Sequence, residues 1–248
     1  MGKIYRQEIK IPCYDTDASQ LLKPVSFMNY AQELANCHAS ELGFGYDDMI
    51  RTRTAWVLSR MHVKFTGLPK WRDIVNLRTW HKGPERLFYI RDFRMTDRED
   101  RQELIAATTS WLVVNIDTRH LTRDALLDES SVCREDALSP SCGKIRVPED
   151  CGRRLAGTHK VSYSDVDMNG HANNAMYLVW AMDAVGRETT FNKTLKEVKI
   201  NFNHETRPGD EVGLYLSGLE QDGEERYWVE GRVAGNDGPA SFIVEMLF

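Results

Sequence analysis

Two periods alternate along this chain, and they do so twice in the same order. Ile9, Ile11 and Cys13 are separated by Lys10 and Pro12, which predicts a short half-buried strand. In PVSFMNYAQELANCHASELG, Phe27, Tyr30, Ala31, Leu34, Ala35 and Leu42 recur at helical spacing, and Gly43 supplies a stop. The period then falls to two. Met61, Val63 and Phe65 alternate with Arg60, His62 and Lys64, and three more strands are predicted at 73–82, 86–97 and 103–117. HKGPER and TDREDRQ are the turns between these last three.

The second half repeats strand, helix, four strands. A strand near Gly157–Tyr163 leads through SDVDMNGHANN into the apolar run AMYLVWAMDAVG, and four strands fit at 194–206, 211–219, 226–235 and 240–248. Individual residues repeat too. Asp15-Thr-Asp17 and Asp165-Val-Asp167 lie 150 positions apart, and the same offset pairs Phe27 with Tyr177, Tyr30 with Trp180 and Glu33 with Asp183. Consecutive strands joined by short turns pair antiparallel. The predicted class is therefore α+β, each half an antiparallel sheet wrapped around one long helix. Asp183 is the one charge between Ala175 and Val185, so the second helix is expected to be enclosed on all sides. Residues 121–152, with Pro140, Pro148, Ser139 and Ser141 and little periodicity, read as a linker between a domain at 1–120 and another at 153–248.

The chain has 248 residues, 42% apolar and 28% charged, enough for two cores and too apolar for a disordered chain. A net charge of -5 argues against nucleic acid, which needs clustered cations. No apolar run is long enough to span a bilayer, so no membrane partner is expected. Five cysteines without a CxxC pair, behind a start that does not read as a secretory leader, point to a reducing, cytoplasmic location. His62, on the polar phase of its strand, and His81, His120 and His159 form no ligand spacing, so no metal and no cofactor is expected. GxGxxG, GxxxxGK[ST] and GxSxG are absent.

Chemistry is concentrated in Ser164–Asn174, which packs two carboxylates, three amides and an imidazole into the turn before the second helix. Asn173 or Asn174 suits the N-cap, and a helix N-terminus offers N–H donors to an oxyanion. His171 can exchange protons near neutral pH, and Asp167 can orient it, act as a base or attack as a nucleophile.

The stretch DVDMNGHANNAMYLVWAMDA resembles the active-site segment of the acyl-acyl carrier protein thioesterases, enzymes with tandem hot-dog domains. AWVLSRMHVKFTGLPKWRDIVNLRTW and TTSWLVVNIDTRHLTR resemble their N-terminal domain. The resemblance implies hydrolysis of the thioester between a fatty acyl chain and the phosphopantetheine arm of acyl carrier protein. It places the family's catalytic residues on Asp167, Asn169, His171 and, in a later strand, Glu205, whose neighbour His204 then faces the other way. Thr206 stands where plant members commonly have a cysteine, which excludes a cysteine nucleophile there. The first half has Ser19 and Leu21 at the matching positions and is expected to be silent, holding the acyl chain near Met28, Ala31, Leu34, Trp56 and Met61. Asn173 and Asn174 are set beside them as substrate contacts.

Two mechanisms stay open: water activated by Glu205 and His171, or attack by Asp167 to give an anhydride. An acyl-coenzyme A thioesterase and a non-catalytic acyl sensor are the rival functions; a dehydratase would need the H-F-P-x-x-P segment, which is absent. The carrier is acidic, so Arg119, Arg123, Lys144, Arg146, Arg153 and Arg154 are candidate docking residues. Chain length, saturation and assembly as a homodimer are not specified by the sequence.

Overall fold

A computed structural model describes residues 3–122, 129–221, 223–235 and 238–248. The chain divides into two units, Met1–Ser141 and Cys142–Phe248. Unit 1 holds β1 (Tyr5–Lys10), α1 (Pro24–Glu41), the short α2 (Tyr46–Arg51), β2 (Thr54–Phe65), β3 (Ile74–Glu85), β4 (Phe88–Asp97) and β5 (Glu103–Asn115). Unit 2 holds β6 (Arg154–Lys160), α3 (Asn174–Val185), α4 (Arg187–Asn192), β7 (Glu197–Phe202), β8 (Glu211–Gln221), β9 (Glu224–Val233) and β10 (Phe242–Leu247). Strands run β1-β3-β4-β5-β2 in the first unit and β6-β8-β9-β10-β7 in the second, all antiparallel, so one topology is used twice. Each sheet carries its long helix on one face, the hot-dog arrangement.

Alternation in the strands decides what meets the helix. In unit 1, Met61, Val63 and Phe65 face α1, and Phe27 of α1 meets Phe65 edge-on at 6.5 Å. In unit 2, Tyr177 of α3 stacks on Phe242 at 4.5 Å and Trp180 lies 6.0 Å from it. Burying each such ring contributes roughly 1.5–3 kcal/mol.

Three expectations change. The second helix is not enclosed all round: Ala175, Tyr177, Leu178, Trp180 and Ala181 are buried, but Met176, Val179 and Met182 are half-buried and Asp183 is exposed. Strand 194–206 is shorter than its pattern, because Asn203 and His204 N–H both turn to the Ser241 carbonyl (2.8 and 3.0 Å) and Pro208 follows. Glu205 thus lies in the connection after β7, and the strand-alternation argument for His204 does not apply to it. His62 is buried despite its polar phase, with Nδ1 3.2 Å from the Pro140 carbonyl.

The segment between the repeats covers part of the outer face of each sheet. Trp80 Nε1 donates to Glu135 O (2.8 Å), Ala137 N–H donates to Asp92 (2.9 Å), and Cys133 N–H donates to His81 O (3.0 Å), all on unit 1. Cys142, Ile145 and Cys151 pack on Trp228 of unit 2, and Ile145 N–H donates to Asn201 Oδ1 at 2.8 Å. Within the described residues no helix is long and apolar enough to cross a membrane.

Candidate active site

The loop from β6 to α3 is held by its own backbone. A 3-10 turn at Tyr163–Asp165 leads to an isolated bridge between Val166 and Ala172. Asp167 N–H donates to His171 O (3.1 Å) and Gly170 N–H to Asp167 O (3.0 Å), closing a tight turn in which Gly170 has φ of 81°. A glycine takes that conformation without strain. The matching loop of unit 1 makes the same bonds, Asp17 N–H to Leu21 O (2.8 Å) and Gln20 N–H to Asp17 O (3.0 Å). Ala172 N–H bonds Thr206 O as Leu22 N–H bonds Pro69 O, both at 2.9 Å. The duplication is therefore visible at the level of single hydrogen bonds.

Asp165, the first acid of the pair, is a structural anchor. It is 2% exposed, accepts from Ser162 N–H (2.7 Å), lies 3.0 Å from His159 Nε2, and takes Trp180 Nε1–H at 3.4 Å, while His159 stacks on Trp180. Asp15 receives the Tyr30 hydroxyl in the same way at 2.5 Å. Burial alone would raise the Asp165 carboxyl, but the bonds from His159 and Ser162 and the His159 charge hold it below the usual carboxylate range. A depressed folded pKa stabilises above the unfolded value near 4 and stops doing so as pH falls through the folded value. Asp165→Asn is accordingly expected to lower unfolding stability by about 1–3 kcal/mol at pH 7, with the gap to the parent closing below about pH 4. Urea unfolding at several pH values measures it; a gap independent of pH would remove the carboxylate's role.

The second acid, Asp167, is half-buried. Asp167 Oδ1 accepts Asn169 N–H at 2.8 Å, and its other oxygen has no hydrogen-bond partner among the described residues. His171 follows, its side chain 34% exposed, with Nε2 3.7 Å from Glu205 Oε2, too long for a hydrogen bond and close enough for an ion pair. Glu205 Oε1 is held by Arg207 Nε at 3.1 Å. The connection carrying Glu205 is fixed by its neighbour: Thr206 is fully buried, its N–H donates to the Tyr177 hydroxyl (3.2 Å), and the two hydroxyls are 3.2 Å apart. Burial first, then the negative charges of Glu205 and Asp167, raise the Tyr177 pKa against the lowering effect of the Thr206 bonds, so the phenol stays neutral. One hydroxyl of α3 thus feels both carboxylates.

Of the predicted residues, Asp167, Asn169 and His171 share one turn, and Glu205 comes within ion-pair reach of the imidazole. Asn169 is exposed. Asn173 is the N-cap, its side chain accepting Ala175 N–H at 2.9 Å, and Asn174 is the first residue of α3. Because Asn173 also takes Met176 N–H on its carbonyl (2.9 Å), two first-turn donors are already engaged and the helix end is less open to an oxyanion than its sequence suggests. Met28, Ala31, Leu34 and Met61 are buried in unit 1, while Trp56 is half-buried, its Nε1 donating to Phe44 O at 3.1 Å. At the positions matching the site, unit 1 has Ser19, Leu21 and, before Pro69, Leu68. Leu21 and Leu68 cannot carry a proton.

The bond between Tyr177 and Thr206 is the feature the sequence reading lacks. The signal was the repeat itself: Tyr177 adds a hydroxyl where Phe27 has none, and a buried phenol needs a partner. Among the docking candidates, Lys144, Arg146 and Arg154 are exposed, Arg119 is exposed on unit 1, and Arg153 lies over the Tyr215 ring with Nε 2.8 Å from Glu230. Arg123 lies outside the described residues.

Known proteins match both halves of the chain. The profile of the acyl-ACP thioesterase N-terminal domain matches residues 2–129, and that of its C-terminal domain matches 150–238. The chloroplastic oleoyl-acyl carrier protein thioesterase of Coriandrum sativum is 26% identical over 237 residues, covering 87% of this chain and 63% of that protein. Oleoyl-acyl carrier protein thioesterase 1 of Arabidopsis thaliana is 27% identical over 232 residues, covering 85% and 63%. This chain therefore spans somewhat under two thirds of the length of these relatives. An acyl-ACP thioesterase from Bacteroides thetaiotaomicron shares the fold with a TM-score of 0.86 at 23% identity, covering 99% of this chain and 98% of that one. The 12:0-ACP thioesterase of Umbellularia californica gives 0.85 at 20%, covering 99% and 94%.

Proposed function

This chain belongs to the acyl-acyl carrier protein thioesterase family, and from that premise we propose that it hydrolyses fatty acyl-acyl carrier protein, releasing free fatty acid and the carrier's thiol. The observation that carries the reading is the imidazole of His171 3.7 Å from Glu205 on one side of a turn whose Asp167 and Asn169 lie within the same five residues. Glu205 orients the ring, and His171 removes a proton from water as it attacks the thioester carbonyl. The Asn169 amide donates to the oxygen that becomes negative, and the C–S bond then breaks with the proton returned to the thiolate. Asp167 fixes the turn through Asn169 N–H and keeps one oxygen toward the substrate. Direct attack by that oxygen is the second route; it passes through an acyl-aspartyl anhydride, which hydroxylamine would trap.

Five free cysteines favour a reducing compartment, and we place the protein in the cytoplasm, in fatty acid biosynthesis. The test is a panel of acyl carrier protein thioesters from short to long with coenzyme A controls. Turnover of the carrier thioesters is expected to exceed that of the coenzyme A esters and to slow as salt rises, because docking is electrostatic. Coenzyme A esters preferred at every length would transfer the function to the other carrier, and a salt-insensitive rate would remove the basic docking residues.

A further inference from the structure

Arg91 lies inside unit 1 without a counter-charge among the described residues. It is 6% exposed and stands on β4 directly opposite His81 of β3 and Thr109 of β5, on the face that α1 covers. Its Nη1 donates to His38 Nδ1 at 3.0 Å and to Thr79 Oγ1 at 3.2 Å. A guanidinium has only donors, so Nδ1 of His38 is the unprotonated nitrogen and both acceptors are neutral. The neighbouring carboxylate, Asp92, points through the other face of the sheet, to Ala137 N–H at 2.9 Å and Lys82 Nζ at 3.5 Å. Among the described residues no carboxylate lies within ion-pair distance of Arg91. Burial lowers its pKa to about 10, which leaves it a cation at neutral pH.

His81 completes the cluster. It is 3% exposed, its Nε2 lies 2.9 Å from Ser131 Oγ, and its Nδ1 is buried with no partner among the described residues. Burial, with the Arg91 charge, pushes its pKa down to about 4, so the ring is neutral at pH 7. In the tautomer in which the Ser131 hydroxyl donates to Nε2, Nδ1 carries the proton and is a donor without an acceptor among the described residues. Apolar and aromatic side chains border the cluster, with the Tyr5 ring stacked on His38 at 5.9 Å. Ala31 and Leu34 precede His38 on the same face of α1, and Phe44 meets the His81 ring at 5.5 Å and Trp56 at 6.0 Å. These include the residues to which the family resemblance assigns the acyl chain.

We propose that the acyl-chain site of unit 1 ends in Arg91, His81, His38 and Thr79, and that it accepts a chain whose far end carries a carboxylate. This rests on the thioesterase reading and specifies its substrate. The carboxylate supplies a counter-charge to Arg91 and an acceptor to His81 Nδ1 together, whereas a methyl end leaves the guanidinium with neutral acceptors alone and Nδ1 without a partner.

The experiment compares kcat/KM for carrier thioesters of equal length ending in methyl or carboxylate, from short to long, with the parent and Arg91→Met. At the preferred length the parent is expected to favour the carboxylate end by roughly 10- to 100-fold, and Arg91→Met to favour the methyl end. Preference of the parent for methyl ends at every length overturns the proposal, as does an unchanged ratio in folded Arg91→Met. Should Arg91→Met not fold, the ratio in the parent alone decides. Calorimetric binding of the two non-hydrolysable acyl-pantetheine amides to the parent separates this proposal from the hydrolytic one: tighter binding of the carboxylate-ended amide without any turnover sinks only the latter, and equal binding sinks only the former.

Discussion

Replacing His171 by alanine is expected to cut kcat for thioester hydrolysis by about 100- to 10,000-fold, the range over which a positioned acid–base group acts. The melting temperature should hardly move, because the ring is 34% exposed at the side chain and its removal opens no buried cavity. Asp167→Ala is expected to lose turnover as well, by freeing Asn169 N–H and withdrawing the carboxylate from the turn. Asp17→Ala is the internal control. Asp17 Oδ1 accepts Ser19 and Leu21 N–H (2.8 and 3.0 Å) in the same backbone frame, but Leu21 stands where the imidazole would be. Free-thiol release measured for the three variants should fall in the first two alone. Parental rates in both His171→Ala and Asp167→Ala would move the chemistry elsewhere, and a well-folded Asp17→Ala without turnover would contradict a silent first unit.

Phe242→Ala is expected to give the largest loss of stability. The ring is fully buried, stacks on Tyr177, and crosses directly over Gly231, its partner in the β9–β10 register. A Cβ at Gly231 would meet that ring at 2.0 Å, so the glycine admits the ring and offers no side chain to fill the space its loss would leave. Such a truncation costs about 3–5 kcal/mol, which for a unit of this size lowers Tm by roughly 10 °C or more. The damage should reach the chemistry. Tyr177 loses its support, and with it Thr206 and the carboxylate of Glu205 lose their fixed position. Thermal unfolding together with kcat measures both effects. A variant within about 1 kcal/mol of the parent, the size of an ordinary substitution, would show that α3 is held by something else.

Periodicity made the architecture readable because each sheet has one face toward a helix, and alternation survives wherever one face is apolar. It was less informative on the outer faces. His62 and Trp80 are covered by residues 131–140, whose composition reads as a linker and whose contacts are mostly backbone carbonyls and amides, which leave no side-chain pattern. The end of β7 was overrun for a similar reason: the bond from Asn203 and His204 to Ser241 depends on a distant strand. The site turn was legible because polar residues of unusual density precede an apolar helix. The role of Asp165 was not, since two acids two positions apart look alike until one is found buried against Trp180 and the other half-buried, holding Asn169 N–H. Arg91 is not legible in the sequence, because arginine is almost never buried without a charge partner and a single letter in a strand carries no sign of which face it takes.

The central claim is that a thioester carbonyl comes to rest against the turn Asp167–His171. Its most direct test is a structure of the protein with a non-hydrolysable acyl-pantetheine amide. The amide carbonyl is expected within about 3–4 Å of the Asn169 side chain and of a water or carboxylate oxygen beside His171, the separation at which attack begins. A well-ordered amide with its carbonyl lodged away from that turn, and His171 left facing solvent, would contradict the account.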